Sequence, residues 1–393
     1  MRAKRYWPRL LAAALGAVLL LAGCAGSPSY PPDPAAPPVR HVFVIMLENV
    51  SYRDLYGANP AYPYLANVLR PQGMLMSNFY AIGHWSLGNY LGLLGGVAPT
   101  KDIQNDCAYY TDMTDAKPAP LGQVRSKHGC VFPPWVPTLP GQLTAKNLTW
   151  KGYMQDMGNK PGREQPTCGQ PSLGNLDADQ TQKAVSGDSY AARHNPFIYF
   201  ASVRDTPACH TQVVPLPGLA TDLRSAATTP NYAYIAPNLC DDGHNQCPAP
   251  QDPNVWLDTW IPRIMASPAY RDGLIIILAD ESINDSAACC RELSGPNLPY
   301  PGGPTKQLMA AQGHGKGGGR IGALLLSPYV TPGGISHIPY NDYSLLRSVE
   351  NIFGLPHLGY AAQPGLAAFG PDVWHSTTPA TTRTAAETTR TAD

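Results

Sequence analysis

Two uninterrupted apolar runs constrain this chain most: His41–Leu47 (HVFVIML) and Gly273–Ala279 (GLIIILA). Neither alternates apolar with polar residues. A strand with one solvated face would alternate, so runs like these belong in a sheet covered on both faces. That layout predicts an α/β fold whose central sheet is mostly parallel, with helices on both faces. Residues 196–202 (PFIYFAS), 231–236 (NYAYIA) and 321–326 (IGALLL) read as further strands. Helices are expected at 86–94, 256–266 and 343–353, the last amphipathic and stopped by Gly354 and Pro356. The 42 prolines and 37 glycines assign much of the remainder to long loops, above all residues 100–180. There is no internal repeat.

The chain is organised around one folded region. Arg2, Lys4, Arg5 and Arg9 precede an apolar run at 10–21, too short to span a bilayer but suited to a signal-peptide core. It ends in Leu21-Ala22-Gly23-Cys24, which resembles a bacterial lipobox with Cys24 as the lipidated residue. Residues 1–24 are therefore expected to be a lipoprotein signal peptide and 25–38 a stiff proline-rich linker. Residues 39–375 are expected to form the main folded domain, and 376–393 a disordered Thr/Ala-rich tail. The expected location is the cell envelope, anchored at the membrane through Cys24, or otherwise secreted. Net charge is zero and only 14% of residues are charged, which argues against nucleic acid as a partner.

Eight cysteines remain after Cys24, an even number that predicts disulfide-tied loops in an exported chain. Cys240 and Cys247 are close enough to close one loop. Cys289 and Cys290 are adjacent and are expected to pair with separate partners. No CxxC spacing occurs, so a zinc–thiolate site is not expected.

Both long apolar runs end in acidic pairs, Glu48-Asn49 and Asp280-Glu281. Ligands in open α/β sheets bind outside the carboxyl ends of the strands. Carboxylates gathered there repel one another unless a cation neutralises them, and their hard oxygens suit a divalent metal. Capping of a helix or a salt bridge is the alternative for either pair alone. Ser86 opens a helical pattern, where a hydroxyl can act as nucleophile and the helix N-terminus favours phosphate; a plain N-cap serine is the alternative for the residue taken alone. Two motifs are excluded. Gly313 to Gly319 (GHGKGGG) lacks the spacing and the Ser/Thr of a P-loop, and reads instead as a flexible loop approaching the site. Ser86 is not in a Gly-x-Ser-x-Gly elbow.

The segments HVFVIMLENVSYRDLYG (41–57), HWSLGNYLGLLGG (84–96), YAARHNPFIYF (190–200), PNLCDDGH (237–244), LIIILADES (274–282), GGGRIGALLLSPYV (317–330) and YNDYSLLRSVENIFGLPHLGYA (340–361) occur in an order that resembles the bacterial and fungal phosphoesterase family. That family holds acid phosphatases and phospholipases C, within the alkaline phosphatase superfamily. The resemblance implies an alkaline-phosphatase-like fold. It makes Glu48, Asn49, Asp280 and Glu281 metal ligands and Ser86 the covalent nucleophile. Asp242 and His244 match its Asp-x-His element, with Asp242 a possible ligand of a second metal and His244 a group that steadies the leaving group. His194 matches its His-Asn-Pro element and is, with His244, a candidate catalytic acid for the leaving alkoxide; a loop hydrogen bond is the alternative. Asn105, with Asp106 as competitor, and Asn89 fall where substrate-binding residues are expected. The implied cofactor is a divalent ion, Mg, Ca, Mn or Zn. The implied substrate is a phosphate monoester. The alternatives are a phospholipid headgroup diester, or no substrate in a surface-binding lipoprotein. Gly88, Asn245 and Asp342 depart from the family's common residues, and Asp342 replaces a frequent histidine.

Overall fold

The computed structural model describes residues 33, 35–174, 187–283, 285–298 and 317–375. The expected signal peptide, Cys24, most of the linker, Gly313 to Lys316 and the C-terminal tail lie outside them. Eight strands form the central sheet: β1 (His41–Leu47), β2 (Met74–Met76), β3 (Trp150–Met154), β4 (Val213–Pro215), β5 (Tyr232–Ala236), β6 (Gly273–Ala279), β7 (Ala323–Leu326) and β8 (Gly334–Ser336). Their order across the sheet is β8-β2-β7-β6-β1-β5-β3-β4. Only β7 runs antiparallel to its neighbours. Every residue of β1 and β6 is buried, so both faces of the sheet centre are covered, as their unbroken apolar sequences require.

The register matters for function. β1 and β6 pair in parallel from His41 opposite Gly273 to Leu47 opposite Ala279. The next residue on each strand is Glu48 and Asp280, so the two acidic pairs emerge side by side from the same sheet edge. β5 flanks β1 on its other side, with Ile45 opposite Ile235. It leads into the loop that holds Asp242.

The helices fall near their expected positions: α1 (Ser86–Gly95), α2 (Pro253–Met265) and α3 (Asp342–Phe353). Asp252 caps α2 by accepting from Val255 N at 3.1 Å. α1 and α3 each end at a left-handed glycine, Gly96 at φ 63° and Gly354 at φ 60°.

Two expectations fail. Residues 196–202 are not a strand; Pro196–Tyr199 is a 3-10 turn and Ala201–Arg204 a short helix. Their aromatic rings are buried all the same, Phe197 stacked on Trp150 and Phe200 on Phe132. A short apolar run marks burial without separating helix from strand, and Pro196 favours a helical first turn. Cys289 and Cys290 do not find separate partners; they bond to each other. The remaining bridges are Cys107–Cys130, Cys168–Cys209 and Cys240–Cys247, the last as expected. Disulfides of this number are the mark of an exported protein.

Glu350 is buried within α3, and its Oε1 accepts from Leu358 N at 2.9 Å. Burial pushes its pKa up to about 9. A carboxyl with a higher pKa folded than unfolded supports folding fully below the unfolded value, and this support is lost as pH rises toward the folded value. Glu350→Gln keeps the acceptor but cannot ionise. It is expected to remove up to about 1.4 kcal/mol of stability loss per pH unit between about pH 5 and 8. Urea midpoints across that range check this; a slope equal to that of the native protein would count against it.

Candidate active site

Four carboxylates gather at the edge where β1, β5 and β6 end. Glu48, Asp242, Asp280 and Glu281 are all at most 3% exposed. The backbone ties their loops together: Glu48 N donates to Asp242 O at 2.8 Å and Asp280 N to Leu47 O at 3.0 Å. Asn49 sits at φ 52°, a left-handed turn that Asn tolerates better than most residues. In that turn its N–H donates to Asp280 Oδ1 at 2.8 Å and its side-chain amide to Glu48 Oε2 at 3.0 Å.

Ser86 reaches this set from α1. It is the first residue of the helix, and the cap position belongs to Trp85, which makes no side-chain cap. The Ser86 hydroxyl is therefore not spent on capping. It donates to Glu48 Oε2 at 3.1 Å. Tyr90, one helical turn further on and hence on the same face, donates its phenol to Glu48 Oε1. The sequence reading missed Tyr90, although its spacing from Ser86 was a usable signal.

The histidines divide into distinct roles. His194 Nδ1 is 3.0 Å from Asp242 Oδ2 and its Nε2 is 3.2 Å from Glu48 Oε1. It is buried between two carboxylates and stacks on Tyr90 with ring centroids 5.4 Å apart. His244 is half-buried; its backbone N–H donates to Asp242 Oδ1 at 2.8 Å, and its ring Nδ1 lies 2.9 Å from Asn245 Oδ1. The two rings are 5.9 Å apart. His84, not anticipated, binds Glu281 Oε2 through Nδ1 and approaches Asp285 O through Nε2 at 3.1 Å. Glu281 is thus held by His84.

The two substrate-binding candidates are placed differently. Asn105 is exposed at the end of a 3-10 turn. Its neighbour Asp106 turns inward, and Asp106 Oδ1 accepts from Leu87 N at 3.0 Å, at the start of α1. Arg193 Nη1 lies 3.4 Å from Asp106 Oδ2. Asn89 is fully buried and fastens the loop before Ser86: it accepts from Gly83 N and donates to Gly83 O, both at 2.9 Å, and to Trp85 O at 3.2 Å. That loop also packs against Gly317 to Gly319. A Cβ on Gly318 would lie 2.3 Å from Gly83 O, so only glycine fits there. Asp342 accepts from Ile82 N at 3.2 Å beneath the same loop.

Electrostatics favour a bound cation. Burial, then the charges of Asp280 and Asp242, raise the Glu48 pKa well above its ordinary value. Burial raises Asp242 and Asp280 likewise, and lifts Glu281 to about 8 despite His84. Asp280 Oδ2 is buried without a hydrogen-bond partner. An unpaired carboxylate oxygen among like charges is costly in a protein interior and would be relieved by a hard divalent ion. Among the described residues, no three His, Cys, Asp or Glu side chains form a ready-made metal cluster. A metal at this edge would therefore draw the Asn49 amide into the set that Glu48, Asp280 and Glu281 begin. For His194, burial and the nearby positive groups His244 and Arg193 push the pKa well down, so its ring is neutral.

An acid phosphatase of Aspergillus fumigatus is 26% identical over 61% of this chain and 44% of its own length. A phosphate-repressible acid phosphatase of Penicillium chrysogenum is 23% identical over 74% and 54%. A phosphatidylinositol-3-phosphatase of Mycobacterium tuberculosis is 23% identical over 83% and 81%. The chain spans about half the length of the two fungal relatives. A protein in the alkaline phosphatase superfamily from Vibrio parahaemolyticus superposes with a TM-score of 0.44 at 12% identity, over 82% of this chain and 69% of that one. The profile of the Phosphoesterase family matches residues 61–356, a span that includes Ser86, His194, Asp242, His244, Asp280 and Glu281 and begins after Glu48 and Asn49. On that match, which runs over well more than half of its residues, this chain belongs to the Phosphoesterase family.

Proposed function

We propose that this protein is an exported, metal-dependent phosphoesterase that hydrolyses phosphate monoesters through a phosphoserine on Ser86. The observation that carries the reading is the placement of an uncapped serine hydroxyl at a helix N-terminus, 3.1 Å from Glu48 Oε2 within a buried acidic set. Glu48, Asn49, Asp280 and Glu281 would hold a divalent ion, which supplies Lewis acidity toward phosphate and lowers the pKa of the serine hydroxyl. All-oxygen donors suit Mg, Ca or Mn, and a site that drew on His244 would tilt toward Zn.

The chain's own residues account for the remaining steps. Ser86 Oγ attacks phosphorus, its proton passes toward Glu48, and the bond to the leaving oxygen breaks on the opposite side. Leu87 N and the first turn of α1 receive a phosphoryl oxygen once Asp106 yields that position, with Arg193 alongside. His244 protonates the leaving alkoxide. His194 is kept neutral and orients Glu48 and Asp242, which suits a positioning role better than an acid role. Water then attacks the phosphoserine, and Ser86 leaves. Lipidation at Cys24 would hold this chemistry at the membrane surface. The relative named a phosphatidylinositol-3-phosphatase makes lipid phosphates worth including among substrates.

The test is turnover of p-nitrophenyl phosphate and of its phosphorylcholine ester by chelated protein resupplied with Mg, Ca, Mn or Zn. The monoester is expected to turn over faster, and only with metal. Preference for the diester would favour the phospholipase C reading. No turnover with any metal would favour a non-catalytic binding protein.

A further inference from the structure

A small cavity of about 220 Å³, lined by Ser51, Tyr52, Arg53, Asp285 and Arg320, opens at the same edge of the sheet as the acidic set. Its place follows from the strand order. β7 runs antiparallel beside β6, with Ala323 opposite Leu278. Arg320, three residues before Ala323, therefore comes out at the edge where β6 delivers Asp280 and Glu281. Two contacts join the cavity wall to the loops of the acidic set. Ser51 Oγ lies 2.7 Å from Oγ of Ser282, the residue after Glu281. Asp285 O lies 3.1 Å from Nε2 of His84, whose Nδ1 holds Glu281. None of the five lining residues has a part in the chemistry proposed above.

Arg320 is fixed in place with donors to spare. Its guanidinium carbon stands 3.8 Å from the ring centre of Tyr52, and its Nε donates to Ser77 O at 2.6 Å. The stacking and that bond set the plane of the fork before anything binds. Among the described residues, no acceptor is bonded to either of its Nη groups. Arg53 is the second cation of the lining. Its Nε lies 3.6 Å from Asp54 Oδ1 with its side chain 80% exposed, a solvated ion pair that contributes little and leaves the guanidinium able to turn. Arg320 is the stronger anchor of the two, since Arg53 shares its charge with Asp54. Asp285 is the one carboxylate among the five, and both its oxygens are engaged. Oδ1 accepts from Ala287 N at 2.9 Å and Oδ2 from Arg320 N at 2.8 Å.

We propose that this cavity binds a phosphate group, with Arg320 as the fixed anchor and Arg53 as an exposed second contact. A planar fork with unspent N–H groups matches two phosphate oxygens at once. The cavity is smaller than the roughly 300–1,000 Å³ of sites that take whole ligands, so it suits a single such group. A second phosphate on the substrate and free inorganic phosphate present the same oxygens, and either can fill it. A group bound there touches the loops that position Asn49 and Glu281. That link to catalysis rests on the phosphoesterase reading; the binding itself does not.

The experiment has two arms, each run on native protein, Arg320→Gln and Arg53→Gln. Arg53 is exposed, so its variant keeps the test open should Arg320→Gln fail to fold. The first arm is equilibrium dialysis of chelated protein against inorganic phosphate. Without a divalent ion the acidic set repels phosphate, so the phosphate that binds reports on the cavity. Affinity is expected to fall by about tenfold or more in Arg320→Gln and by about threefold in Arg53→Gln. The second arm compares kcat/KM for propane-1,3-diol bisphosphate and propyl phosphate with metal-loaded protein, corrected for the two ester groups of the former. If the group belongs to the substrate, native protein prefers the bisphosphate by about tenfold, and the preference falls toward one in Arg320→Gln while propyl phosphate turns over as in native protein. Phosphate binding without that preference assigns the cavity to free phosphate; a preference, with or without such binding, assigns it to the substrate. Neither signal in native protein, or a signal unmoved in the folded variants, overturns the site. No turnover of either ester overturns the phosphoesterase reading and leaves the first arm to decide the cavity.

Discussion

Ser86→Ala is expected to lower kcat on p-nitrophenyl phosphate by about 10⁴-fold or more, because it removes the nucleophile itself and not a group that assists it. The substitution is small and leaves the first turn of α1 intact. The Tyr90 contact to Glu48 and the Asn49 contact to Asp280 do not pass through Ser86. Metal content and thermal stability should therefore stay close to native. Two measurements check this together: steady-state rate, and metal per protein after dialysis. A variant that kept native turnover would exclude a phosphoserine. One that lost turnover and metal together would make Ser86 a ligand first and a nucleophile second.

Asp280→Asn should separate stability from activity. Asn keeps an oxygen for Asn49 N but removes one of the buried like charges that raise the pKa of Glu48. Metal-free Asp280→Asn protein is therefore expected to be more stable than native near neutral pH, by about 1–3 kcal/mol, the usual range for relieving an uncompensated buried charge. Metal should reverse the ranking. An ion present at 100 times its Kd stabilises the native protein by about 2.7 kcal/mol, and the variant should lose most of that gain. Metal affinity and activity should fall by about 100-fold or more, at least the loss typical of an outer-shell change. Urea titrations with and without the ion, after chelation, decide the matter. If the variant gained as much from metal as native protein does, Asp280 would not be a ligand.

Much of the candidate site was legible because it hangs on the two most regular elements. β1 and β6 are apolar throughout, so their extent could be read, and Glu48 and Asp280 follow as the first polar residues. Ser86 was legible from the helical pattern after it. The rest depends on contacts between distant segments. Tyr90 meets Glu48 across 42 residues and His84 meets Glu281 across 197. Nothing local in a histidine or tyrosine says which carboxylate it will face. Asn105 and Asp106 illustrate the same limit: adjacent polar residues in one turn, of which the backbone directs only Asp106 toward Leu87 N. The residues 196–202 were misread because burial of Phe197 and Phe200 is compatible with a helical turn as well as a strand.

By itself the sequence determined that the chain forms a covered parallel sheet, that acidic pairs cap its two central strands, and that a serine-initiated helix stands between them in the chain. Those properties follow from local periodicity and from solvent exclusion, which act residue by residue. Only the tertiary structure decided that β1 and β6 are neighbours in register, that Ser86 donates to Glu48, and that His194 is shared by two carboxylates. Those are long-range pairings, set by which strands lie side by side and how loops close over them, and no short window of sequence contains that information.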